Sequence, residues 1–333
     1  MKYEDRVYGS CLIEDPLVLE LIHSHSLQRL RKIDQGGYKP LWTDPDIDCG
    51  PDDHTRFAHS LGVFLLLQKY GASREEQIAG LLHDVSHSAF SHCIDYVLET
   101  GSQTNHSHQD SCFESYVKRS ELPCILQKHG IDVNYVLDDA HFPLKEKKLP
   151  DLCADRIDYS LRTAVIFKEV FIEEVSSLLN NLIVHDGQWI FTNFEYAKKF
   201  AELFLMLNRK YFSGFSSAVM FASVGNCLKH ACAQGYITQE DLYTTDQLVL
   251  DKLKGRIKED PMLNTLWRRM NKLIKTIDSK TDSGTEVFCK SRVVDPLFKC
   301  SQGFLRVSDV DPSWAKTIQK ELAPKRYVIT YER

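Results

Sequence analysis

Seven of the thirteen histidines fall between residues 54 and 108, and carboxylates stand among them at useful places. His83 and Asp84 are adjacent. Neighbouring side chains in mid-helix diverge by about 100°, so this pair can share one ion only where a helix ends and the backbone turns. The preceding Ala79-Gly80-Leu81-Leu82 is where a helix should be ending. His59 opens a helix of its own after a long loop, and Asp155 sits on another, on one face with Tyr159 and Arg162 at i+4 and i+7. Two imidazoles and two carboxylates make a mixed N/O shell for one divalent cation, Mn²⁺, Fe²⁺, Mg²⁺, Co²⁺, Ni²⁺ or Zn²⁺, with positions left open. Such an ion lowers the pKa of bound water from about 15.7 to near 7 and neutralises phosphoryl charge. His87, His92, His108 and Arg56 supply further groups for the remaining oxygens. Cys49 with His54 is an alternative zinc pair. His23, His129, His141, His185 and His230 stand apart and read as ordinary core or surface residues.

Helical periodicity dominates the elements that must position these groups. Leu17, Leu21, Leu27 and Leu30 predict a helix over 16–32. A second begins near His59 and ends before Gly71. A third opens with the Ser73-Arg74-Glu75-Glu76 capping box, and a fourth spans about 150–170 with Pro150 in its first turn. Between 34 and 53 the pattern breaks into a long acidic loop. Ile183-Val184-His185 and Trp189-Ile190-Phe191 flank Asp186-Gly187, which predicts a hairpin. Long helices follow over 194–233 and 245–276. Residues 291–298 and 325–331 predict a small sheet, with a short helix over 312–322 between them. The fold class is mostly α: a helical bundle with a small β-containing C-terminal region. The expected division is a core over 1–225, including the loop 34–53, and a C-terminal region over 226–333.

A chain of 333 residues with 43% hydrophobic content, 26% charged residues and net charge −5 has the composition of a globular protein, not of a nucleic-acid-coating one. The longest apolar run, Val63–Leu67, is far short of the roughly 20 residues a membrane span needs. The charged N-terminus reads as no signal peptide. Ten cysteines without a CxxC pair read as reduced thiols, so a cytoplasmic location is expected, with the nucleus open for a eukaryotic source. Arg268, Arg269, Lys272 and Lys275 read as a solvated helix face.

Arg56-Phe57-Ala58-His59-Ser60-Leu61-Gly62, the stretch from Gly80 to His92 with His83-Asp84 at its centre, and Asp155-Arg156-Ile157-Asp158-Tyr159 resemble the HD-domain phosphohydrolases. The closest likeness is the branch of deoxynucleoside triphosphate triphosphohydrolases that includes the sterile-alpha-motif-and-HD enzyme of animals. Leu27–Arg31, Gln35-Gly36-Gly37 and Arg292–Phe298 share it. The resemblance implies an HD-type helical bundle and a metal held by His59, His83, Asp84 and Asp155. It implies His108 as general acid or phosphate donor, with His106 a rival, and His87 and His92 along the phosphate path. Arg56 and Arg156 would be charged clamps, and Tyr159 and Gln35 would contact sugar or base, beside Arg162 and Thr163. In that branch hydroxide attacks the α-phosphorus and releases nucleoside plus triphosphate. Thr163 replaces a common Asp, Ala58 a common Glu, and Gln109 the usual Glu after the acid, which leaves the metal chemistry intact and puts sugar recognition in question. The implied partners are a nucleotide and further copies of the chain, as a dimer or tetramer, with no membrane and no nucleic acid. A phosphatase or phosphodiesterase on monophosphates, and a low-turnover nucleotide-binding regulator, are the competing readings.

Overall fold

The computed structural model describes residues 1–42, 54–279 and 284–332. Cys49, and with it the alternative zinc pair, lies outside the described residues, as do residues 43–53 of the expected loop. Among the described residues no helix is long and apolar enough to cross a membrane, and the cysteines there are all unpaired thiols.

Helix α1, Pro16–His23, starts where the Asp15 carboxylate accepts the Leu17 N–H at 2.9 Å. The single helix expected to residue 32 is broken at Ser24, whose extended backbone and hydroxyl cap begin a separate short helix, His25–Arg29. Helix α2, Arg56–Lys69, is capped by Thr55 and is apolar on nearly every side: each residue from Arg56 to Leu67 is buried. Phe57, Leu61 and Phe64 pack with α1, while Val63, Leu66 and Leu67 pack towards residues 152–207. With about 1.5–3 kcal/mol for each large apolar side chain taken from water, α2 is fixed in position, and so is the His59 it carries.

Helix α3, Arg74–Leu82, is capped by Ser73 as expected. Its Glu76 carboxylate turns away from the reciprocal box and accepts the N–H groups of Leu144 and Lys145 at 2.6 and 2.9 Å. Helix α4 is His108–Arg119. Helix α5, Ala154–Ile166, is shorter than the expected 150–170. The long helix expected over 194–233 is two, α6 (Phe194–Leu207) and α7 (Phe215–Ala233). The break falls at Gly214, where a Cβ would lie 2.6 Å from the carbonyl oxygens of Arg209 and Lys210. The boundary expected at residue 225 falls inside α7.

Strands β1 (Lys2–Asp5) and β2 (Gly9–Leu12) form an N-terminal hairpin that the sequence reading did not anticipate. The hairpin expected around Asp186-Gly187 is present as β3 (Leu182–His185) and β4 (Gln188–Phe191), both turn residues having positive φ. After helices Asp246–Lys254 and Pro261–Met270, separated where the expected 245–276 helix was to be continuous, come β5 (Thr276–Asp278), β6 (Thr285–Cys289), β7 (Leu297–Cys300), β8 (Gly303–Arg306) and, after the helix Pro312–Glu321, β9 (Lys325–Tyr331). The C-terminal strands do not make one sheet. β7 and β8 extend the hairpin in the order β3-β4-β7-β8, whereas β9 lies between β5 and β6. Residues 291–296 form no strand.

Candidate metal centre and cavity

Three segments bring the four residues together. α2 presents His59, the C-terminal end of α3 presents His83 and Asp84, and the first turn of α5 presents Asp155. The His59 and His83 Nε2 atoms lie 3.2 Å apart. Asp155 Oδ1 is 2.9 Å from His59 Nε2 and 3.5 Å from His83 Nε2. Asp84 Oδ1 is 3.5 Å from His83 Nε2, and its Oδ2 is 3.7 Å from His59 Nε2.

The tautomers follow from what holds the other ring nitrogens. His59 Nδ1 donates to Asp158 Oδ2 at 2.7 Å, and His83 Nδ1 donates to the Gly80 carbonyl at 2.7 Å. Each neutral ring therefore aims an Nε2 lone pair at the other. Two lone pairs and two carboxylates facing one point require a positive charge there. Burial disfavours a charged His59, yet Asp155, Asp158 and Asp84 outweigh it and lift the ring to about 9. Burial likewise opposes the Asp84 anion, but Arg56, His83 and His87 hold it well below the usual carboxylate range. The donor set, the fixed tautomers and the carboxylate behind His59 suit a divalent metal ion.

Behind the centre lies a fully buried ion network. Asp158 also accepts two bonds from Arg162, at 2.9 and 3.0 Å, and Arg162 reaches Asp5 of the N-terminal hairpin at 3.0 Å. Asp158 had no role in the sequence reading, although a carboxylate three residues after Asp155 on a helix was visible. Arg162, expected at the substrate, is buried and fully occupied in holding Asp158.

In front lies a cavity of about 910 Å³. Gln35, Arg56, His83, Asp84, His87, His92, Asp155, Arg156, Tyr159 and Thr163 all line it, so most of the expected side chains converge. His108 does not. Its backbone N–H is tied to Asp95 at 3.1 Å and its ring bonds the Tyr243 hydroxyl at 2.8 Å and Thr100 at 3.2 Å, away from the cavity. His106 takes that wall instead. It has φ of +51°, a left-handed turn that reverses the chain just before α4, and its ring stacks on His92 with centroids 4.9 Å apart. Burial pushes His87 down to about 4, with Arg56 adding to the effect. His92 and His106 are also held well below the ordinary imidazole range, first by burial and then by nearby positive charge. Among the described residues, His87 and His106 Nδ1, Gln35 Oε1 and the Tyr159 hydroxyl are buried without a hydrogen-bond partner, while His92 Nδ1 faces the Asp95 carboxylate at 3.6 Å. Polar atoms so placed in a cavity wall are groups for a ligand to satisfy.

Supporting bonds set the rim. Arg56 donates to Asp84 Oδ2 (2.8 Å), Ser91 Oγ (3.0 Å) and the Gln35 carbonyl (2.9 Å), so one guanidinium ties the metal centre to the Gln35 turn. The Asp246 carboxylate accepts the N–H groups of Asp34 (2.9 Å) and Phe90 (2.7 Å), fastening the same two segments from outside. Neither role was visible in the sequence.

The HD-domain family matches residues 56–163. The chain is 34% identical over 315 residues to YdhJ, an uncharacterized protein of Bacillus subtilis, covering 93% of this chain and 92% of that one. It is 38% identical over 179 residues to cns2, a metal-dependent phosphohydrolase of Cordyceps militaris, covering 54% of this chain and 49% of that one. It is 24% identical over 320 residues to the deoxynucleoside triphosphate triphosphohydrolase SAMHD1 homolog of Dictyostelium discoideum, covering 83% and 58%. The chain thus spans about half the length of the second relative and less than two thirds of the third. Helices that aim imidazoles and carboxylates at one point beside a polar cavity suit metal-dependent hydrolysis. The chain belongs to the HD-domain metal-dependent phosphohydrolases, which use a divalent metal.

Proposed function

We propose that the chain hydrolyses nucleotides, converting deoxynucleoside triphosphates to deoxynucleoside and triphosphate. The observation that carries this reading is the double character of the cavity. The His-Asp centre and the imidazoles of His87, His92 and His106 line it together with Tyr159, Phe212 and Phe221, and with Lys147, Lys148, Lys290 and Arg292, which have no carboxylate partner among the described residues. Aromatic and cationic groups in one cavity of about 910 Å³ suit a base and sugar joined to a phosphate chain. The distant likeness to a deoxynucleoside triphosphate triphosphohydrolase supports the same choice.

In this proposal His59, His83, Asp84 and Asp155 hold the metal. When bound, a divalent ion supplies Lewis acidity, making water a competent nucleophile near neutral pH and neutralising phosphoryl charge. Asp158 keeps His59 in its metal-binding tautomer, and Arg56 keeps Asp84 in place. His87 and His92 donate to phosphate oxygens. A bound phosphate adds negative charge beside these buried rings, so His106 can carry a proton on Nδ1 and pass it to the departing 5′ oxygen. Gln35 and Tyr159 contact the nucleoside, with Thr163 beside them, and Arg156 reinforces the phosphate side. His106→Gln is expected to lower kcat by about 10²- to 10⁴-fold, and His108→Gln to leave it within a few-fold. Steady-state rates on one deoxynucleotide compare the two. The reverse order would restore His108 to the acid's role. The family likeness extends the proposal to a homo-oligomer, dimer or tetramer, which sedimentation tests.

A second reading is a phosphatase on nucleoside monophosphates. It is favoured by the ion pairs that already occupy three of the lining cations, Arg56 with Asp84, Lys145 with Asp139 and Arg156 with Glu146. Incubating the metal-loaded protein with deoxynucleoside triphosphates, ribonucleoside triphosphates and monophosphates, and identifying products by mass, separates the readings. Triphosphate release is expected, and chelation of the metal should abolish it. Orthophosphate from monophosphates alone would favour the second reading, and no turnover at all would make the chain a nucleotide-binding regulator.

A further inference from the structure

Residues 290–294 reach the cavity from the far end of the chain. The segment follows β6 and is held on both sides. Tyr96 donates to the Phe288 carbonyl, at 2.5 Å, and the Phe288 N–H donates to the Gln103 side chain at 3.3 Å. Beyond them the buried Asn208 amide donates to Ser291 Oγ at 3.0 Å and accepts the Arg292 N–H at 3.0 Å. Val293 and Val294 are fully buried in the core. The backbone on either side of Arg292 is therefore pinned while its side chain joins the cavity wall.

The Arg292 guanidinium is half-buried, yet no carboxylate or carbonyl among the described residues accepts a bond from it. Its charge is felt at His92, His106 and Tyr159. Beside it, Lys290 Nζ bonds the Asn105 carbonyl at 2.7 Å, next to His106, and an ammonium has two further protons to donate. Burial, and then Arg292 itself, push Lys290 down to about 8. Two like charges lining one wall of a cavity repel unless an anion lies between them. A guanidinium fork and an ammonium, next to unpartnered imidazole nitrogens, match phosphate oxygens.

We propose that Arg292 and Lys290 form an anion subsite that grips the phosphate chain of the substrate, so that the segment after β6 completes the active site. The inference rests on the nucleotide reading above and assigns its phosphate-binding end. Neither side chain is a metal ligand, and among the described residues the Arg292 guanidinium holds no other part of the fold.

The test uses the full-length, metal-loaded protein with inorganic tripolyphosphate as the probe in titration calorimetry, beside kinetics on a deoxynucleoside triphosphate. Arg292→Gln is expected to melt as wild type does and to bind tripolyphosphate about 10- to 100-fold more weakly. Arg292→Lys should recover part of the loss, Lys290→Gln should weaken binding in the same direction, and the exposed Lys316→Gln should bind as wild type does. The kinetic loss should fall mainly in KM. Unchanged tripolyphosphate binding in both Arg292→Gln and Lys290→Gln overturns the subsite. If wild type hydrolyses deoxynucleoside triphosphates and Arg292→Gln does so equally well, the subsite falls and the nucleotide reading stands. If wild type hydrolyses none but binds tripolyphosphate through Arg292, the subsite stands and that reading falls.

Discussion

Asp84→Asn protein is expected to lose turnover of every phosphate ester that the wild type hydrolyses, by about 10³-fold or more, while keeping its fold. Disturbing groups behind metal ligands already costs roughly 10- to 100-fold in metal affinity or activity, and loss of a ligand charge should exceed that. Asp84 Oδ2 takes the Arg56 bond at 2.8 Å, and its Oδ1 faces His87 Nε2 at 3.2 Å and His83 Nε2 at 3.5 Å. The amide has the same shape and can still accept from Arg56, but it brings no negative charge to the point where the imidazole lone pairs meet. Alanine is the blunter change: it leaves the buried Arg56 guanidinium without its counter-ion, a loss of about 3–5 kcal/mol. Two measurements check this. Metal content of the purified variant should be low, and its melting temperature should not respond to added metal, whereas the wild type should be stabilised by metal through mass action. A variant with full metal and full rate would remove Asp84 from the ligand set.

How much of this was legible in the sequence depends on how local the determinant is. The His83-Asp84 pair at a helix end, His59 on its own helix and Asp155 on another were readable because residue type and helix ends are local matters. So was the β3-β4 hairpin, whose Asp-Gly turn dictates its own geometry. Other features are settled only by the folded chain. His106 and His108 are two residues apart, and which one enters the cavity depends on one left-handed residue and on the Asp95 carboxylate that ties down the start of α4. Arg162 shares a helix face with Asp155, so spacing allowed a substrate role, but Asp5, more than 150 residues away, turns it inward. Arg292 belongs to a run that looked like strand, and Lys290 stands just before it. They reach the cavity because Asn208 and Tyr96, each more than 80 residues away, fix the segment. The continuous helices expected over 16–32 and 194–233 failed for a different reason. Periodicity carries across a break, while Ser24 and Gly214 stop the backbone for reasons of capping and close approach.

The metal centre should also be sensitive to a residue that touches no ligand. Gly62 lies in the interior of α2, and replacing a helical glycine with alanine ordinarily stabilises by up to about 1 kcal/mol. Here the sign should reverse. A Cβ on Gly62 would lie 2.1 Å from Arg162 Nη2 and 2.1 Å from Asp158 Oδ1, so the pair behind the centre must move. Neither partner has room to retreat: Arg162 is anchored on Asp5 at 3.0 Å, and Asp158 holds His59 Nδ1 at 2.7 Å. Pushing apart a buried, hydrogen-bonded ion pair costs on the order of 3–5 kcal/mol, which outweighs the gain in helix propensity. The His59 ring would lose its fixed acceptor at the same time, and metal affinity should fall by about 10- to 100-fold. Gly80→Ala in α3 gives the comparison with apolar crowding, since its Cβ would meet the Leu67 Cδ1 and Val63 Cγ1 methyls, at 2.5 and 3.1 Å. That change should cost about 1–3 kcal/mol of overpacking and lower metal affinity less than Gly62→Ala does, because the Gly80 backbone carbonyl that holds His83 Nδ1 is retained. Melting curves and metal titrations on the two variants read the stability and affinity effects independently. If Gly62→Ala is destabilised but binds metal as tightly as wild type, the carboxylate behind His59 is an element of the core and not what holds the ring to its ion.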